Sequence, residues 1–401
     1  MHLPRLFKCL SSFLFCSVSI SAQAYTVSTN SSHIPVYTTN GSQSDTQAAI
    51  NAAANGDVIQ LPAGSLTWSA GVTINHGVTI EGRGVSSTTL TNPGTSFSLF
   101  DVSCNHVQTH ITGIAFKGQY AIKVGGSYTT HKFRISNCTF DCGTAQGILL
   151  QFLDNAPGLV DHCTFSAGNA SEMIHNMGVG PDNTAGWTND VNPGSASAVY
   201  IENCTFNKNP AVDQYFWGTA AIQSYYGART VMRYCKLNYC HIDQHGNVPP
   251  LYGARWWEFY NNTFYVPPNG NQSDYFALRG GSGVVFNNHV SGGPNTGSGQ
   301  IQLYSDETTN PPLCGPGGGI FVNGGRSFSP VYIWGNDPSM TAGSTSSNVI
   351  QGRDYLVSST QPTSMIKRQL TTDNASTKYS YKPYVYPHPL DDGSTSVFGP
   401  Q

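Results

Sequence analysis

Six short segments of this chain repeat one pattern. Asn137-Cys138-Thr139-Phe140 returns as His162-Cys163-Thr164-Phe165, Asn203-Cys204-Thr205-Phe206, Tyr234-Cys235-Lys236-Leu237, Asn261-Asn262-Thr263-Phe264 and Asn287-Asn288-His289-Val290. The intervals are 25, 41, 31, 27 and 26 residues. Self-similarity at such a period marks a stack of like units, each unable to bury its own apolar face without neighbours.

Aligned on the Cys/Asn position, the repeat becomes columns. Three residues before it stand Ile135, Val160, Ile201, Met232, Phe259 and Val285; two after it stand Phe140, Phe165, Phe206, Leu237, Phe264 and Val290. Both columns are apolar throughout, whereas Ser136, Asp161, Glu202, Arg233, Tyr260 and Phe286, two before it, are mostly polar. A strand that alternates in and out, bends and resumes gives this pattern, and parallel stacking buries the apolar columns. Helical repeats need positions three and four apart on one face over whole turns, and these segments are too short and too rich in Gly, Asn and Thr. The cysteines then form an inward ladder continued by Asn262 and Asn288. With no CxxC pair and no compact Cys/His quartet, they do not read as metal ligands. A disulfide between stacked cysteines remains open.

Outside the repeat, residues 1–24 carry Arg5 and Lys8, an apolar run and Ala22-Gln23-Ala24, which reads as an export signal removed near Tyr25. No later stretch reaches the ~20 apolar residues of a membrane span. Ser44-Asp45-Thr46 caps an expected short helix through Ala53, which plugs the open end of the stack. The 41-residue interval places an insertion between Ser166 and Ser197, where loops over a binding face are expected. Regular columns fade after Tyr304. The ending Tyr386-Pro387-His388-Pro389 cannot be a central strand and reads as an extended strap, with His388 structural.

The opening Thr46-Gln47-Ala48-Ala49-Ile50, then Gly56-Asp57-Val58-Ile59-Gln60-Leu61-Pro62-Ala63-Gly64, together with the Asn-Cys-Thr-Phe coils, resembles the pectate-lyase-like superfamily over roughly Asp45 to Tyr304. That resemblance implies an all-β fold, a single-stranded right-handed parallel β-helix with a short N-terminal capping helix. The expected division is a signal at 1–24, the solenoid over 25–310, and further coils with the packed strap over 311–401. The fold hosts lyases, hydrolases, esterases, tailspikes and adhesins, so it does not itself fix an activity.

A second strand precedes each repeat. Aligning His175, Tyr225, His245, Arg279 and Tyr304, with Gly227, Gly246 and Gly280 close behind three of them, puts Ile222, Ser224, Ile242, Gln244 and Leu278 inward. The first five then form one outward column, with Gln223, Asp243 and Gln302 beside it. Only 10% of the chain is charged, so acid/base groups, a guanidinium and aromatic rings together on one face stand out.

β-Elimination on a uronic-acid polymer needs a cation for the carboxylate, a base for the adjacent proton and an acid for the leaving oxygen. Arg279 supplies a bidentate cation. His245 is the expected base, with Asp243 orienting it, and Tyr225 or Tyr304 the acid. His175, Gln223, Arg229, Arg255, Trp256 and Tyr304 are expected to bind substrate, Trp256 by stacking on a sugar while Trp257 enters the core. The coil Leu278-Arg279-Gly280-Gly281 is similar to the Leu-Arg-x-Gly coil of alginate and chondroitin B lyases, whose Arg is catalytic; where those enzymes place a Lys one coil earlier, this chain offers His245 or Arg255. A glycosidase would need two facing carboxyl groups, and the proposed face contains only Asp243, with Glu172 one position off.

The expected protein is therefore secreted and acts on an acidic polysaccharide, with a glycan-binding adhesin or a structural surface protein as alternatives. No cofactor is implied, and calcium finds no clear site. None of the 19 basic residues forms a run, which argues against nucleic acid.

Overall fold

A computed structural model describes residues 24–391 except 95, 104–107, 126–131, 144–147, 169–171, 179–190, 209–219, 247–252, 269–271, 273, 294–300, 304–320, 323–324, 327–328, 348 and 369–375. The expected signal before Ala24 and the expected boundary at 310 lie outside them.

From Val58 to Leu303 each coil contributes one strand to each of three sheets. In one coil Val199–Glu202 lies in sheet 1, Thr205–Lys208 in sheet 2 and Ala220–Tyr225 in sheet 3, before Arg229–Arg233 starts the next coil in sheet 1. Among the described residues the sheets hold 13, 9 and 10 strands, and all pairings within them are parallel except that of Thr26–Thr29 with Pro35–Thr38. The chain is an all-β parallel β-helix. Val331–Trp334 and Tyr355–Ser358 extend sheet 1 and Ala342–Ser344 extends sheet 3, so stacking continues past residue 330.

The repeat sits at the corner between sheets 1 and 2. Asn137, His162, Asn203, Tyr234, Asn261 and Asn287 all take left-handed backbone, φ 50–57°. One such residue turns the chain sharply enough for an inward residue to follow at once. Among residues with a side chain Asn tolerates this conformation best, which explains its recurrence there. Cys138, Cys163, Cys204 and Cys235 follow, each 1% exposed and with free thiols. Asn262 and Asn288 continue the ladder at 0%, and hydrogen bonds rather than dispersion join their coils: Asn262 Oδ1 accepts from Cys235 N at 3.0 Å and Asn288 Oδ1 from Asn262 N at 3.1 Å. Beside them Phe116, Phe140, Phe165 and Phe206 stack ring on ring at 5.0, 4.8 and 4.7 Å.

The helix covers Gln43–Ala52, starting earlier than expected because Ser42, not Ser44, is the cap and accepts from Asp45 N. Ala49 and Ile50 point into the end of the core, fully buried.

The mostly polar column Ser136, Asp161, Glu202, Arg233, Tyr260, Phe286 faces out of the solenoid but not into solvent, being 0–6% exposed. Tyr381 and Leu390 from the strap join Leu159, Tyr200, Val231, Tyr260 and Phe286 in a second apolar cluster over this face. The described end of the insertion lies here too: Gly194 N donates to Glu258 Oε1 at 2.7 Å and Tyr200 OH to Ser195 O at 2.6 Å. Residues 191–197 thus lie over sheet 1, while residues 179–190 of the insertion lie outside the described residues.

Candidate active site on sheet 3

Strand alternation decides what sheet 3 presents. Ile222, Ser224, Ile242, Gln244 and Leu278 are fully buried. The residues between them point outward. Register places His175 opposite Gln223, Gln223 opposite Asp243, Asp243 opposite Ala277 and Ala277 opposite Gln302. His175 therefore belongs to the Gln223 column rather than with Tyr225, which pairs with Met177. The sequence alignment slipped by two residues there.

The rings meet all the same, because aromatic side chains reach diagonally between neighbouring strands. Tyr225 lies stacked between His175 and His245, with centroids 4.8 and 4.6 Å away. Glu172 ties two of the three: Tyr225 OH donates to its Oε1 at 2.9 Å, and its Oε2 pairs with His175 Nδ1. Burial, and then the Glu172 charge, push the Tyr225 phenol well above its usual range, while Arg279 pulls it the other way. Tyr225 is thus held protonated within the field of Arg279.

His245 does not pair with Asp243 as expected. Its Nδ1 meets the Gly246 carbonyl, which can only accept, so this contact puts the ring proton on Nδ1 and the lone pair on Nε2. The turn needs its glycines: a Cβ on Gly253 or Gly280 would lie 2.4 or 2.3 Å from the His245 carbonyl oxygen. Asp243 instead grips Arg279, accepting from Nε at 3.1 Å and Nη2 at 2.5 Å, and also accepts from Gln223 Nε2 at 2.6 Å. The pair is largely covered, with side chains 16% and 7% exposed, so Arg279 is not the solvent-facing group expected.

Two of the expected binding residues, Trp256 and Arg229, belong to sheet 1. Trp256 is 2% exposed, its Nε1 donating to Glu258 Oε1 at 3.1 Å on the covered face of sheet 1, so it offers no platform to a sugar. Arg255 is 3% exposed and sits in the turn beside His245, where Ala254 N donates to His245 O and Arg255 N to Ala228 O. Arg229, half-buried, opens a strand of sheet 1 opposite Trp256 rather than extending the sheet 3 column. Tyr304 lies outside the described residues.

Two residues join the face that sequence reasoning left out of it. Glu172, one position off the face by alternation, is the first, reaching Tyr225 and His175. His241, two residues before Asp243 on the same side of its strand, carries a pKa lowered to about 4 by burial, with Lys208 and Arg279 adding to this and Asp243 opposing it. Its signal was the His-x-Asp alternation itself.

No protein-family model matches this chain, and no curated protein matches it either. Solved structures do. An alginate lyase from Paenibacillus sp. str. FPU-7 aligns with 77% of this chain and 97% of its own at 14% identity, TM-score 0.47. A pectin methylesterase from carrot aligns with 64% of this chain and 81% of its own, also at 14% identity, TM-score 0.34. A Geobacillus virus E2 protein aligns with 67% of this chain and 59% of its own at 13% identity, TM-score 0.42. At these identities the likeness is one of fold.

Proposed function

We propose that the outward face of sheet 3 binds an acidic polysaccharide and cleaves it by β-elimination. One observation carries this reading: a phenol held protonated, an imidazole with its lone pair on Nε2 and a guanidinium share one small face in a chain poor in charge. Arg279 meets the uronate carboxylate and stabilises the negative charge that grows there. His245 Nε2 takes the proton from the carbon bearing that carboxylate. The electron pair released forms a carbon–carbon double bond and expels the glycosidic oxygen, which takes the Tyr225 proton. Proton transfer from His245 through solvent then restores the phenol. Asp243 and Glu172 act by position, one aiming the guanidinium and the other holding the phenol and the His175 ring.

Hydrolysis fits less well. Glu172 is occupied by Tyr225 and His175, and Asp243 by Arg279 and Gln223, whereas a glycosidase needs one carboxyl as acid and another as base or nucleophile. A second reading, glycan binding without cleavage, is favoured by Asp243 filling the fork of Arg279.

Product masses test the choice. Digestion of polymannuronate, polyguluronate, polygalacturonate and chondroitin sulfate should yield, from at least one, oligosaccharides one water lighter than hydrolysis products. Products of hydrolysis mass would overturn the chemistry, and tight binding without products would leave the second reading.

A further inference from the structure

Around the corner from this face, at the end of sheet 2, lies an open cleft of about 330 Å³ lined by Asp141, Ser166, Asn207, Lys208 and the backbone of Gly143 and Gly168. That is the lower range of volumes for small-ligand sites. The register stacks Asp141, Ser166 and Asn207 in one column, so they sit on successive coils ~4.8 Å apart. Their chemistry is graded along it. At one end Lys208 extends over the Tyr239 ring, Nζ 5.3 Å from its centroid, a contact that keeps the ammonium in place. Next, Asn238 of the following coil donates to Asn207 Oδ1 at 2.7 Å, which fixes the Asn207 amide. At the far end Asp141 binds Gly143 N through Oδ1 at 2.8 Å.

The cleft connects with the sheet 3 face through a very short corner. Strand Lys236–Asn238 of sheet 2 passes to His241–Gln244 of sheet 3 through Tyr239 and Cys240 alone. Lys208 touches this corner from the coil before, its ring contact being Tyr239 and its backbone meeting the Cys240 thiol. His241, the first residue beyond, lies within the electrostatic reach of Lys208, Asp243 and Arg279. A chain of polar groups thus runs from the cleft over Lys208 and His241 to Arg279.

We propose that this cleft is a second sugar subsite, which holds an anionic residue of the same glycan that reacts on sheet 3: Lys208 pairs with its carboxylate, and Asn207, Ser166 and Asp141 meet its hydroxyls. The glycan then crosses the corner between sheets rather than lying on sheet 3 alone. This rests on reading sheet 3 as a glycan face, but the test separates the two.

Calorimetry on the full chain would measure binding of dimers and pentamers of mannuronate, guluronate and galacturonate, and of carboxyl-reduced pentamers, to wild type, Lys208→Gln and Lys208→Arg. Expected for the tightest pentamer is an affinity about tenfold weaker in Lys208→Gln and near wild type in Lys208→Arg, with dimers unaffected and melting temperatures unchanged. Where turnover is seen, KM should rise with kcat within twofold. Equal pentamer affinity in Lys208→Gln and wild type, equal affinity for reduced and acidic pentamers, or no pentamer binding would each overturn the subsite. A Lys208-dependent affinity in a protein that never yields unsaturated products would uphold the subsite and remove the elimination chemistry.

Discussion

At the scale of single residues, the account turns on which side chain does which task. Tyr225→Phe removes the proton donor but keeps the ring between His175 and His245. Turnover should fall about a hundredfold, within the usual range for a lost general acid, while the melting temperature moves little. Arg279 should behave differently. Its pairing with a 7%-exposed Asp243 means that Arg279→Ala strands a carboxylate, so activity should vanish together with on the order of 2 kcal/mol of stability in chemical denaturation, less than a fully buried pair would lose. Unchanged stability would show that the ion pair is dispensable to the fold. The sequence made His245, Tyr225, Asp243 and Arg279 legible as outward residues because strand alternation is local. It could not show that Asp243 serves Arg279 rather than His245, since side chains choose partners across coils. The slip at His175 has the same origin: nothing local fixes how a six-residue strand registers on the next one.

At the scale of elements, the Cys ladder was the plainest signal, because one bend at a fixed position forces an inward residue in every coil. Burial pushes the Cys163 and Cys204 thiols far up, so the reactive thiolate is suppressed. Neither should react with a thiol reagent in the native protein, and both should label once it is unfolded, as peptide mapping by mass spectrometry would reveal. Labelling of either in the native state would contradict the inward placement. The outward column of sheet 1 was legible only in part. Alternation correctly turns Glu202 and Arg233 away from the solenoid interior, but whether such a column meets water depends on a segment some 150 residues later in the chain.

That segment matters at the scale of the whole molecule. Arg233, fully buried, binds Glu202 Oε1 from Nη2 at 2.5 Å and donates to the carbonyls of Tyr384 and Val385 at 2.6 and 2.7 Å. Further along, Arg134 bridges Asp161 and Asp391. The strap therefore adds hydrogen bonds to the ion pairs that it buries. His388 lies within it, 2% exposed, with Nδ1 accepting from Leu390 N, as a neutral imidazole must. Burial first, then Arg233, lower its pKa to about 4. The unfolded chain takes up this proton near pH 6.5 and the folded one only near pH 4, so stability is lost as pH falls through that window. Between pH 7 and pH 5 the wild type should lose about 2 kcal/mol more than His388→Asn in denaturant titrations. Buried Glu202 titrates with the opposite sign, its carboxyl being raised, which is why the difference between the two proteins is the informative quantity. Equal pH dependence would mean that the strap lifts off before His388 titrates.

The claim that sheet 3 is where an acidic glycan is broken by elimination is tested most directly by the ultraviolet absorbance of unsaturated chain ends. Wild type and Tyr225→Phe would be incubated side by side with the same polyuronides, with glycan binding measured in parallel. The account predicts a steady rise for wild type on at least one acidic polymer, and a rate about a hundredfold lower for Tyr225→Phe at undiminished binding. No rise with any acidic polymer, or an equal rise in the two proteins, would contradict it.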